Sequence, residues 1–243
     1  IVDEAHHLED ATTRQLGYGA TQPMLERMLN DVYPEGGEGR SGILYDVRRR
    51  VEKAGLAPSS KQALDRQILL AQRGAEHVRD LLRQFFAVLG EFLMADQTTV
   101  GPYGLRVRLE RKVRSQPGYT QVEIAWDTVS GPLYELAQAL ESLSQGLGEL
   151  NESGAPGLDD VTADMASLAS QFSDAYTQMH AAIGQPDENG IYWAEVNGNE
   201  RTLSLHMAPL HVGPLVEQHL FMAKDTVVLT SATLRTAGSY SYI

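Results

Sequence analysis

Over residues 59–95 apolar side chains recur at helical spacing: Ala63, Leu70, Ala75, Val78, Leu81, Leu82, Phe85, Phe86, Leu89 and Phe92. A stripe this long constrains the fold more than any other feature, because it can only be buried against other elements of similar length. Ser59 or Ser60 suits the N-cap. Helical spacing returns over 132–150 and 158–183, on either side of the break NESGAPG, so covering partners are available. Further helices are expected over 9–30 and 42–54, separated by the turn-rich DVYPEGGEGRSG, and a short one over 213–221 with Pro214 near its start.

Period-two patterning interrupts the helices at two places. LRVRLERKV (105–113) and YTQVEIAW (119–126) alternate around the turn RSQPG and read as a hairpin. IYWAEV and RTLSLHM flank Asn197-Gly198, a favoured turn pair, and read as a second one. Trp126 and Trp193, each in an alternating run, are read as core anchors, and Met179, Met207 and Met222 as core filler. The apolar stubs IV (1–2) and TVVLT (226–230) cannot be stable as lone strands and are expected to pair with each other in parallel.

Bulk properties exclude some classes. The longest apolar runs fall far short of the roughly 20 residues that cross a bilayer, and no basic-then-apolar leader opens the chain. There is no cysteine, so disulfides, iron–sulfur ligation, thiolate metal sites and cysteine nucleophiles are excluded within these 243 residues. The net charge of -12 is unevenly spread. Residues 40–114 hold 15 Lys+Arg against 8 Asp+Glu, whereas the rest holds 5 against 24. Such asymmetry suits either a polyanion-binding face or long solvated helices.

Chemistry concentrates at the two ends. Asp3 and Glu4 follow an apolar pair, and side chains at the carboxyl end of a parallel strand point into the crevice where α/β sheets bind ligands. Phosphoryl transfer needs one acid to hold Mg²⁺ and a second group to orient the attacking water, and adjacent carboxylates leaving a strand supply both. The competing reading is an acidic helix start that favours the dipole. Ser231 and Thr233 follow the second stub, where small hydroxyls can reach a neighbouring strand, with His6 the natural partner; a helix N-cap is the plainer alternative. Arg106, Arg108, Arg111, Lys112 and Arg114 in the first hairpin could track a phosphate backbone, with Tyr103 and Tyr119 placed to stack on bases. An edge strand defended by charge accounts for the same pattern. His6, His7, His206 and His211 match no metal-ligand spacing.

Together, VDEAHHLED, LTSATL and the LHMAPLHVGPLV that precedes the latter resemble the DinG-type and XPD-like DNA helicases of superfamily 2. In that family the DEAH box is motif II and S-A/G-T is motif III, both on the first RecA-like motor domain. The resemblance implies a segment of a longer, cytoplasmic ATP-dependent DNA helicase that moves along single-stranded DNA and acts in DNA repair. The implied fold is mainly α with small β elements, a helical arch insertion between two strands of a partial RecA-like α/β domain. Residues 1–12 would be the motif II stub, 13–185 the arch with a basic hairpin near 105–126, and 186–243 the return with motif III and the start of the linker to a second motor domain. Asp3 would hold Mg²⁺, Glu4 would polarise the hydrolytic water, and His6, Ser231 and Thr233 would couple hydrolysis to DNA movement. ATP and Mg²⁺ are the implied cofactors; the iron–sulfur ligands of many relatives would lie upstream of Asp3. No G-x-x-x-x-G-K-[ST] occurs, so the segment alone is expected to be inactive. The alternatives are a non-catalytic helical module that binds nucleic acid or protein, carrying vestigial motifs, and a metal-dependent phosphohydrolase using Asp3, Glu4 and His6.

Overall fold

The computed structural model describes residues 1–36, 41–95, 104–155, 157–198 and 202–231. Three long helices dominate: α4 (Pro58–Met94), α6 (Pro117–Glu152) and α7 (Asp159–Ile183), preceded by α1 (Leu8–Leu16), α2 (Gln22–Val32) and α3 (Ile43–Lys53). At 37 residues, α4 is about 55 Å long. The middle helix of the layer is α6, packed on α4 along one side and on α7 along the other, while α2 and α3 lie against α4 and α7. Its large buried residues, Tyr119, Val122, Trp126, Val129, Leu133, Leu136, Leu140, Leu143 and Leu147, step by three and four.

That run corrects the first hairpin. Residues 119–126 are helix, and only β2 (Leu105–Arg108) is a strand, followed by the single turn α5 (Arg111–Arg114). Val122 and Trp126 are four apart, a spacing that satisfies both periods; Ile124, which a strand would bury beside them, is 53% exposed. Pro132 therefore sits inside α6 instead of starting it, half-buried next to the exposed Gly131.

Residues 9–30 are also not one helix. The chain leaves α1 at Gly17, forms β1 (Tyr18–Thr21) and re-enters helix at α2. Thr21 caps α2 by accepting from Met24 N at 3.2 Å, and Pro23 occupies its first turn. The other hairpin forms as expected, with β3 (Gly190–Val196) antiparallel to β4 (Leu203–Pro209). β1 and β2 flank it, giving a four-stranded antiparallel sheet in the order β1-β4-β3-β2. Tyr192, Ala194, Val196, Leu203 and Leu205 face the helical core, while Trp193, Glu195, Ser204 and His206 line the opposite face. After β4 come the short α8 (Gly213–Val216) and one wide turn at Glu217–Phe221. Met179 is core, but Met222 is 75% exposed on that last segment, so it fills nothing here. No helix among the described residues is long and apolar enough to cross a membrane.

Candidate functional site

The two ends of the described chain meet. Val2 and Leu229 form a parallel bridge. Val2 N donates to Val228 O at 2.8 Å, Thr230 N to Val2 O at 2.9 Å, and Ala5 N to Thr230 O at 2.9 Å. Residues more than two hundred apart in sequence thus become neighbours, with the acidic and hydroxyl side chains leaving the bridge together.

Each acid meets its own hydroxyl. Thr230 Oγ1 donates to Asp3 Oδ1 at 2.6 Å, and Glu4 N donates to the same oxygen at 3.0 Å. The Thr230 bond, then the backbone bond, holds the Asp3 carboxyl below the usual carboxylate range, since both stabilise the anion. Ser231 Oγ donates to Glu4 Oε2 at 3.1 Å. His6 Nδ1 lies 2.6 Å from Ser231 Oγ and 3.1 Å from Glu4 Oε2. One proton arrangement satisfies the triangle: His6 Nδ1–H donates to Ser231 Oγ, and the serine hydroxyl donates to Glu4. Glu4 adopts φ 50, ψ 47, the left-handed region, and among the described residues it is the one non-glycine with positive φ. That conformation costs roughly 1–2 kcal/mol, and it is what turns the Glu4 carboxylate toward Ser231 and His6. Asp3, Glu4, His6 and Ser231 are therefore brought together; Thr233 lies outside the described residues.

The sequence reading missed Thr230. Its signal was present, as a hydroxyl immediately before Ser231 in a pair of segments expected to align. A one-residue shift in how the two ends face each other assigns it to Asp3.

The basic residues separate into different surroundings. Arg114, expected to face a phosphate backbone, turns inward: Nε donates to Leu109 O at 2.9 Å, Nη1 to Tyr119 Oη at 2.7 Å and Ile183 O at 3.0 Å, and Nη2 to Ala182 O at 2.6 Å. It ties the end of α7 to the start of α6. Tyr119, expected to stack on bases, is fully buried, and burial pushes its hydroxyl up to about 12 against the opposing pull of Arg114. Tyr103 lies outside the described residues. Arg106 pairs with Glu195 at 3.1 Å and Arg108 with Glu110 at 3.2 Å, both at the exposed sheet edge, and Arg111 and Lys112 are exposed beside them. Other cations of the basic third hold helices together. Arg79 is buried and donates to Tyr33 O at 2.6 Å, and Arg50 donates to Gly157 O at 2.8 Å.

Trp126 is a core anchor whose Nε1 donates to His180 Nδ1 at 3.3 Å. Trp193 stands on the outer sheet face instead, stacked on His206 at 5.2 Å between centroids, with the Arg106 guanidinium 5.6 Å from its ring. Among the described residues no three His, Asp or Glu side chains converge as a metal-binding group.

A mainly helical body whose ends join in a parallel bridge, with two acids answering two hydroxyls, defines the class of site. No protein-family model matches the chain. The chain is similar to the 3′-5′ exonuclease DinG of Bacillus subtilis (strain 168), with 26% identity over 250 residues that span all of this chain and 25% of that protein. It thus spans about a quarter of the relative's length. The alignment covers the helical middle as well as both ends of the chain.

Proposed function

We propose that this chain is part of an ATP-dependent DNA helicase, running from the acids of motif II to the hydroxyls of motif III. The observation that carries the reading is the parallel bridge of Val2 with Leu229 and the hydroxyl-to-carboxylate bonds that cross it. In this reading the bridge is the rim of a RecA-like sheet, residues 1–12 and the segment after Pro209 belong to the motor domain, and the helical body is the arch. The insertion, expected over 13–185, extends to Pro209 in this proposal, because β3 and β4 complete a sheet with β1 and β2.

Asp3 is the candidate Mg²⁺ ligand. Both of its hydrogen bonds fall on Oδ1, and among the described residues Oδ2 has no partner, so the exposed carboxylate suits a hard cation that keeps most of its waters. Mg²⁺ with ATP would supply charge neutralisation on the phosphates. Glu4 orients and deprotonates the attacking water, and His6, Ser231 and Thr233 couple the acids to the motif III segment. Arg106, Arg108, Arg111 and Lys112 are the candidate contacts to the backbone of single-stranded DNA; Arg114 is assigned to structure.

The test is ATP hydrolysis by the full parent protein, with and without single-stranded DNA, beside Glu4→Gln. DNA-stimulated hydrolysis abolished by that one change supports the reading. Hydrolysis that is absent, or unaffected by the substitution, overturns it in favour of a helical binding module.

A further inference from the structure

Thr230 is fixed on three sides. Its N–H donates to Val2 O, its carbonyl accepts from Ala5 N, and its hydroxyl donates to Asp3 Oδ1. The backbone bonds lock it to the strand that carries Asp3, so the hydroxyl meets the carboxylate from a fixed position. A solvent-facing aspartate ordinarily samples several rotamers. Here two donors from different directions, Thr230 Oγ1 and Glu4 N, converge on one oxygen and set both side-chain torsions. The consequence is asymmetry: Oδ1 is committed to the protein, and on this exposed side chain Oδ2 has no partner among the described residues.

We propose that Thr230 is a positioning residue that holds Asp3 for one-oxygen coordination of the nucleotide-bound Mg²⁺. This rests on the reading of Asp3 as the metal acid. Mg²⁺ demands near-octahedral geometry and retains waters, so a carboxylate offering one oriented oxygen serves it better than a swivelling or bidentate one. Partners that orient a metal ligand typically govern affinity by about 10–100-fold. Ser231 cannot take over, since its hydroxyl is engaged by Glu4 and His6. Threonine also fits for a local reason, because its branched β-carbon restricts the hydroxyl to few orientations.

The experiment uses the full parent protein with a non-hydrolysable ATP analogue, and Mn²⁺ as the spectroscopic stand-in for Mg²⁺, titrated by electron paramagnetic resonance. Thr230→Val keeps the shape and removes the donor. It should weaken Mn²⁺ binding about tenfold and raise the Mg²⁺ needed for half-maximal hydrolysis in parallel, while Thr230→Ser stays near wild type. A purely structural clasp would lower Tm in Thr230→Val and leave the metal titration unmoved, and that result overturns the proposal. If Thr230→Val does not fold, Thr230→Ala is read against the same two outcomes. Asp3→Asn separates the levels. Metal binding and hydrolysis that survive Asp3→Asn refute the parent reading, whereas their loss alongside a wild-type titration in Thr230→Val refutes only the role of Thr230.

Discussion

Replacing Arg114 with methionine tests whether the basic segment is a nucleic-acid contact or a structural tie. The side chain makes four hydrogen bonds that join Leu109, Tyr119, Ala182 and Ile183. A hydrogen bond from a charged group is worth about 1.5–3 kcal/mol where no water replaces it. Arg114 is only half-buried, so water recovers part of the loss, and bonds sharing one guanidinium do not add. An overall cost of about 3 kcal/mol follows, which in a domain of this size lowers Tm by about 6–12 °C. Arg114→Lys keeps the charge but not the planar fork, and should lose roughly half as much. Thermal unfolding followed by circular dichroism reads both variants. A methionine variant melting within about 2 °C of wild type would refute the structural assignment, since a solvent-facing, phosphate-seeking arginine leaves little mark on stability.

Two further perturbations address the sheet. Burial between Trp193 and β1 holds His206 below its ordinary pKa, outweighing the upward pull of Glu195, and Arg106 pushes in the same direction as burial. Its folded pKa lies below its unfolded value, so below about pH 6.5 the unfolded chain binds more protons and stability falls. His206→Gln should flatten that part of the pH–stability curve in denaturant melts, and a curve unchanged in slope would count against the assignment. Gly104 has φ +78, and a Cβ there would stand 2.4 Å from Val196 O, a backbone atom that cannot step aside. Gly104→Ala should destabilise by at least roughly 1–2 kcal/mol and loosen β2, seen as faster amide exchange at Arg106–Arg108; unchanged exchange would refute it.

The elements legible from sequence were those where one period stood alone. From Ala75 onward the α4 stripe, α7 and the β3–β4 hairpin carried clear spacing, and Asn197-Gly198 marked the hairpin turn; at the start of α4 the expected Ala63 and Leu70 are exposed, and Leu64, Ile68 and Ala71 are buried instead. YTQVEIAW failed because Val122, Ile124 and Trp126 also alternate, and only packing between α4 and α7 decides that Ile124 stays in water. β1 was hidden because four residues are too few to show a period, and because its strand character comes from pairing with β4. Gly19 illustrates the dependence: a Cβ there would lie 2.8 Å from the His206 ring, so the residue is small for a reason that sits nearly two hundred positions away. At the site, Asp3, Glu4, His6 and Ser231 were legible as residue types. Which hydroxyl serves which acid depends on register across the bridge, and no local pattern encodes that.

The distance in sequence across the bridge also explains why the helical body matters to the site. Joining Val2 to Leu229 in an otherwise open chain closes a loop of more than two hundred residues, and three backbone hydrogen bonds at an exposed rim are a modest return for it. Pairing of β1 with β4 changes the problem, because Tyr18 is then already beside Met207 and only two short connections remain to be closed. With closure entropy growing as the logarithm of loop length, that shortening saves roughly 1.5 kcal/mol, comparable to one net hydrogen bond. Gly17 N bonded to Thr13 O and the packing of α1 on β4 restrict one of those connections further. The acids and hydroxyls therefore meet because the sheet holds their flanks together. A change that detaches β1 from β4 reaches Asp3 and Thr230 without touching either.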